Sequence, residues 1–580
     1  MFVIPSKDTK KFVVDNASMS RGNIYATYNI MLDADVGKIK LNPPMASVFT
    51  SGDTADFANP TGMITAINPI GTSSLYILTT EGWRGVWVSG LTGGTYQKLS
   101  GTNSPQTATD ASSDICMFLG AGDSEQIVVS TNRGIHHNSP TSIQGVWALE
   151  AISGSTPTFT LIPFSETNRL YLVQKKKIIS MDTTYTLAST GAYTQVNGLF
   201  NITCARASSK AIWYAQSGLY SGDKSKIYEW DGVATNPTAI YVISTPFILA
   251  ITILDDLPVA IDGRGRLWFY DGYTFKLKDG VNIPVREDYV ASQVINVHRN
   301  GMITDKGKIF ILVGSNYSTL NTTERGLCGI WCYDPDIGLY HYSSPNGLSH
   351  IYTPLVLAKT LGENTYAAGF KGYITDTSTE LSIFSGWTGI RDEGLVRTGF
   401  ITTQFLESKN LTDMFASIGI KFRKMIDTAA KIEVKYRTWK NIECNAQITW
   451  TSTTTFTAST IILNGTGGSA YCTPVAIGDE VMVQDGTNCG LIAQITARSD
   501  AGGTATCTID RTATLGTGTS YAMFSNYKLL KTITNDGSTF KNIALGIPAT
   551  MLQVKLVMQW REYYDEVQEI LIPEKKQESN

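Results

Sequence analysis

One pattern constrains this chain more than any other, and LPVAIDGRGRLWFYDGYTFKL (Leu257 to Leu277) shows it. Apolar residues alternate with small or polar ones, the chain turns at Asp262-Gly263-Arg264-Gly265, and the alternation resumes until a second turn at Asp271-Gly272. Two strands joined by a glycine-containing loop are the direct reading. The pattern returns at Ser74 to Gly90, Gln126 to Ser139, Arg169 to Asp182, Ala211 to Gly232, Gly301 to Gly314 and Thr365 to Ser378. Its turn landmarks Gly82, Gly134, Lys176, Gly218, Gly263, Gly307 and Gly372 lie 52, 42, 42, 45, 44 and 65 residues apart.

Several strands repeated every 40 to 50 residues predict the blades of a β-propeller. One small sheet cannot cover both of its faces, so neighbouring sheets pack around an axis and cover each other. Seven units are counted, and six or eight also fit. Thr, Ser, Gly, Tyr, Val and Ile dominate and helical periodicity is nearly absent, so the fold class is all-β. The best helical candidate is a short stretch around Arg286 to His298.

The pattern changes near Thr398. Longer alternating strands such as SIGIKFRK and KIEVKYRTW, and later MLQVKLVMQWREYYDEVQEILI, predict a β-sandwich with one core face and one charged solvent face. A Thr-, Gly- and Ser-rich interruption, almost free of Lys and Arg, reads as a small β-barrel or sandwich inserted into a loop of it. The expected organisation is an arm with strands (1–45), a propeller (46–395), a sandwich (396–443 with 527–575), the inserted domain (444–526) and a tail (576–580). Strands in the arm either pack on the sandwich or close a blade, and sequence does not choose between them.

Composition narrows function. A formal charge of −3 argues against a dedicated binder of nucleic-acid backbones. No apolar run is long enough to span a membrane, and no secretory leader is expected. The eight cysteines are irregularly spaced and read as buried free thiols; Cys328 and Cys332 are a weak metal pair. His136, His137, His298, His341 and His350 form no ligand pattern. Nucleophile and phosphate-loop motifs are missing, and Gly263 and Gly265 precede a strand rather than a helix. Asp255-Asp256 and Asp334 with Asp336 read as turn carboxylates, Trp268, Phe269 and Tyr270 as blade packing, and Lys175-Lys176-Lys177 as a solvated turn. No catalytic, cofactor-binding or metal site is expected, and the chain reads as a non-enzyme.

Blade phrases such as YEWDG and LWFYDG, followed by KIEVKYRTW and the terminal pair MLQVKLVMQWREYYDEVQEILI, resemble tail hub or nozzle proteins of short-tailed bacteriophages. The module IGDEVMVQDG...GLIAQIT resembles small β-modules of phage structural proteins. The resemblance covers most of residues 45 to 575 and is one of architecture and phrase style. It implies a virion protein assembled in the host cytoplasm, a sixfold homo-oligomeric ring below the portal and adaptor, and outer surfaces for tail fibres. DNA would pass without specific binding, and no cofactor is implied. Walls that do not hold phosphates should be acidic or neutral, which makes Glu562, Asp565, Glu566 and Glu569 candidate channel-facing residues. Two other classes fit the composition: a fibre or tip protein recognising a host glycan or receptor, and a propeller enzyme acting on glycans.

Overall fold

A computed structural model describes residues 2–4, 24–28, 30–33, 38–41, 46–47, 60–67, 73–79, 85–88, 96–98, 102–105, 112–120, 124–140, 145–152, 160–187, 193–194, 200–218, 222–284, 293–315, 329–343, 355–357, 365–371, 379–385, 397–407, 414–426, 428–439, 443–466, 472–484, 488, 490–549, 551–560 and 567–572. Among them the one α-helix is a single turn, Thr460–Leu463. The helical candidate near Arg286 is not helical where it is described. Ile295–Asn296 is strand there, pairing with Lys308–Ser315, and the β-branched Ile295 suits that use.

Seven antiparallel sheets follow one another, six of four strands and one of five. Their innermost strands are Pro60–Ile67, Ser112–Leu119, Thr160–Phe164, Phe200–Ala207, Ile248–Leu254, Met302–Asp305 and Leu355–Leu357. Each lies against the next, and the seventh lies against the first. The result is a closed β-propeller, with apolar clusters packed between successive blades.

The turns follow from local chemistry. In blade four Asp231 Oδ1 accepts the amides of Val233 and Ala234, and in blade five Asp271 Oδ1 accepts those of Tyr273 and Thr274. A short carboxylate can bond the backbone two and three residues on, which fixes the turn. Gly232 follows with φ +77°, and a Cβ there would sit 2.5 Å from the Tyr171 hydroxyl of the neighbouring blade. The turn of the opening segment is held by Asp262. Its carboxylate accepts the amides of Arg264 and Arg266, Arg266 Nε at 2.7 Å and Trp268 Nε1 at 3.1 Å.

The strands Ile24–Tyr28, Ile30–Asp33 and Lys38–Leu41 of the N-terminal arm join the sandwich, and the strand that closes a blade comes just after the arm. Ala46–Ser47 pairs with Thr379–Ser385 as the outer strand of blade seven, so the ring is closed by a strand from the far end of the chain. Ile24–Tyr28 pairs with Arg397–Thr403 in one sandwich sheet, which continues through Met551–Trp560, Lys431–Arg437 and Lys528–Thr534. Ile30–Asp33 and Lys38–Leu41 join the other sheet, with Val567–Ile572, Met414–Phe422 and Phe540–Pro548.

The sandwich does not stand apart from the propeller. Phe310, Leu312, Ile330, Cys332, Tyr340 and Tyr342 of blade six share one buried core with Ile401, Leu406, Ile418, Val434 and Leu556 of the sandwich. The His341 amide donates to Thr27 Oγ1 at 2.8 Å, and its ring stacks on Tyr28. Burying six such side chains is worth on the order of 10 kcal/mol, enough to hold the two units together. The inserted segment is a closed six-stranded barrel: Cys444–Ser452, Thr455–Ser459, Thr504–Ile509, Ile492–Ala501, Glu480–Val483 and Thr519–Ser525.

One sequence expectation is corrected here. The charged face of Lys431–Arg437 is not a solvent face: Glu433, Lys435 and Arg437 are buried, because the barrel sits over them. Alternation alone cannot tell a face covered by water from one covered by an inserted domain.

Candidate functional site

The strongest convergence of chemistry lies on the propeller axis. In blade two, the innermost strand carries a register shift between Ser112 and Asp114, which re-aims Asp114. Its carboxylate is buried and accepts three N–H groups. Oδ1 takes the amide of Ile115 at 3.0 Å and Asn300 Nδ2 at 2.9 Å; Oδ2 takes the amide of Leu161, in blade three, at 2.9 Å. Asn300 belongs to blade six, about as far from blade two as a seven-membered ring allows, so this bond spans the centre.

Two guanidiniums bear on the same carboxylate, Arg206 from blade four and Arg299 beside Asn300. Burial raises the Asp114 carboxyl, and Arg299, the backbone amides and Arg206 pull against it without cancelling the rise. Burial lowers Arg206, and Arg299 adds to that, while Asp114 favours its charge. His298 is held well below the ordinary imidazole range by burial, then by Arg299 and Arg206, and is therefore neutral near pH 7. Its Nδ1 accepts the Asn300 amide at 3.1 Å, which puts the ring proton on Nε2. The nearby thiols are poor nucleophiles. Burial pushes Cys204 up to about 12 and Cys116 well above its usual range.

A second buried ionic group joins sandwich to barrel. Glu480 of the barrel meets Lys435 Nζ at 2.7 Å and also Lys555, both from the sandwich. Glu433 meets Arg511 and lies 3.6 Å from Lys435. The Lys555 ammonium also sits 3.9 Å from the Phe400 ring centre, and the Arg437 guanidinium 4.3 Å from that of Tyr527. Burial would raise the Glu480 carboxyl, but Lys435 and Lys555 outweigh it and hold it at about 2.

The residues singled out in the sequence fall elsewhere. Glu562, Asp565 and Glu566 lie outside the described residues; Glu569 is in strand, its backbone paired with Lys421. His136 is bonded to Thr131 and to the Asn103 carbonyl, and His137 stacks on Tyr185 at 3.6 Å, with burial and then His136 lowering it to about 4. His350 and Cys328 lie outside the described residues. Asp334 accepts the Asp336 amide and pairs with Lys308 at 2.7 Å; Asp256 accepts the Ser209 amide; Lys176 donates to the Phe200 carbonyl. Trp268 is buried, and Phe269 and Tyr270 pack against Tyr333 and Tyr241. No group of three or more metal-ligating side chains occurs among the described residues.

Asp114, Arg206, Arg299 and Asn300 were missed by sequence reasoning. A signal was present: Asp114 opens the otherwise apolar DICMFL, and Arg206 sits in ITCARA.

No protein-family model and no curated protein matches the chain. Among solved structures it is similar to BBS1N, crystallised in complex with ARL6DN, at 12% identity over 60% of this chain and 99% of that one, TM-score 0.39. It is similar to the Pan2 WD40 domain of Neurospora crassa at 11% identity over 62% and 98%, TM-score 0.39. The Dos1 propeller matches at 10% identity over 60% and 96%, TM-score 0.36. Likenesses this distant say nothing of activity or partners, and the propeller assignment rests on the sheet topology itself.

Proposed function

We propose that this chain is a structural subunit of a larger assembly, and specifically a tail hub or nozzle subunit of a tailed phage that forms a homo-oligomeric, sixfold ring around a DNA passage. The observation that carries the proposal is the way the modules are joined. Blade six and the sandwich share one core, the barrel is fixed to the sandwich by buried ion pairs, and the N-terminal arm with the strand just after it threads both sandwich and propeller. Parts joined in this way suit load-bearing better than hinged capture. Because Asp114 and Asn300 meet across the propeller axis, the DNA passage belongs to the space enclosed by copies of the chain. Closed rotational symmetry builds such a tube from identical parts. Portal, adaptor and fibre proteins would be the neighbours in a virion.

Native mass spectrometry and electron microscopy of the purified chain test this reading. Closed rings of one stoichiometry are expected; a monomer at every concentration, or absence of the chain from the tails of purified virions, would count against it.

A further inference from the structure

The axial cluster is built like a site rather than a joint. Both oxygens of Asp114 are occupied by N–H donors, not by guanidinium groups. Arg206 is half-buried, and its side chain makes no hydrogen bond to any described residue; it is coupled to Asp114, Cys204 and Arg299 through electrostatics alone. Asn300 turns its amide nitrogen to Asp114, which fixes its orientation, since the reverse would set two acceptors together. Its Oδ1 is then buried and accepts nothing from the described residues. Buried acceptors are almost always satisfied, by protein or by something bound.

We infer that the propeller axis binds a small hydroxylated oxyanion, with its charged oxygens on the Arg206 guanidinium and its hydroxyl donating to Asn300 Oδ1. A guanidinium presents a planar fork of donors that fits phosphate and carboxylate oxygens alike. Asp114 beside it disfavours a second negative charge and selects an anion that keeps a proton donor. Dihydrogen phosphate, the singly charged form, and the carboxylate of a sugar acid share this chemistry. The inference does not depend on the assembly role proposed above.

Isothermal titration of the intact chain with inorganic phosphate, and separately with glucuronate, at matched ionic strength, tests it. Saturable one-to-one binding of one or both anions is expected, and the arm that binds identifies the source. Arg206→Gln should weaken binding about tenfold or more, the loss of a charge-assisted hydrogen bond, and Arg206→Lys, which keeps the charge, should retain part of it. Melting curves in chloride show whether each variant is folded. Absence of saturable binding to both anions, which the natural chain alone can reveal, would overturn the inference. So would an unchanged affinity in a folded Arg206→Gln chain.

Discussion

Two buried ionic groups in this molecule look alike by composition and differ in what their atoms touch. At the sandwich–barrel junction, charge meets charge: Glu480 takes two ammoniums, and Glu433 takes Arg511. On the propeller axis the carboxylate is satisfied by neutral N–H donors, and Arg206 is left to act through space. The first joins two units by direct ion pairs, fixing the barrel over a face that would otherwise be wet, although Glu433 Oε2 and Arg511 Nε find no hydrogen-bond partner among the described residues. In the second, Asn300 Oδ1 finds no partner among the described residues, and the proposed anion would complete it. Counting charges would not separate the two; the groups that meet the carboxylates do, ammonium and guanidinium at the junction and neutral N–H on the axis.

The sharpest way to break this comparison is to remove the anion of the junction. Glu480→Ala leaves Lys435 and Lys555 buried without their carboxylate, and should cost about 3–5 kcal/mol in chemical denaturation. A loss under about 1 kcal/mol would mean that the junction is wet and the pairs are incidental. Asp114→Ala should cost less, about 2–4 kcal/mol, because it orphans the Leu161 and Ile115 amides and the Asn300 side chain but strands no tightly paired cation. Its stability is measured in the same way, and a neutral outcome would show that the cross-axis bond is dispensable.

Acid should separate the two groups by sign, with a smaller effect. Glu480 titrates at about 2 in the folded chain, below an ordinary carboxyl. Its contribution is full above the ordinary value and fades as pH falls toward 2. Asp114 is raised, so its contribution is full below the ordinary value and is lost as pH rises through its folded value. Stability measured against pH should therefore show a shallower acid-side decline in Glu480→Gln, whereas Asp114→Asn should make that decline steeper. Identical profiles for the two variants would contradict the contrast.

The sequence made the repeating part of the fold legible and hid the joints. Strand–turn–strand phrases such as LPVAIDGRGRLWFY announce themselves because each residue's neighbours along the chain decide its turn. Ala46–Ser47 did not, because two residues carry no periodicity and their partner lies more than 300 positions away. KIEVKYR reads equally well as a solvent face and as a face beneath a barrel; burial of Lys435 is a property of the insertion, not of the strand. The axial cluster draws one residue each from the second and fourth blades and two from the sixth, and no local pattern links Asp114 to Asn300. Lone charges in apolar inner strands were its trace, and the closed ring supplied the rest.

Equilibrium urea unfolding of Arg206→Met in chloride bears most directly on the distinction between a ligand site and a structural joint. If Arg206 awaits a ligand, removing it relieves its desolvation and its repulsion from Arg299, loses its attraction to Asp114 and breaks no hydrogen bond to a described residue, so stability should stay within about 1 kcal/mol of the natural chain. A loss as large as that of Glu480→Ala would make the axial arginine a structural ion-pair partner, and the contrast between the two clusters would be wrong.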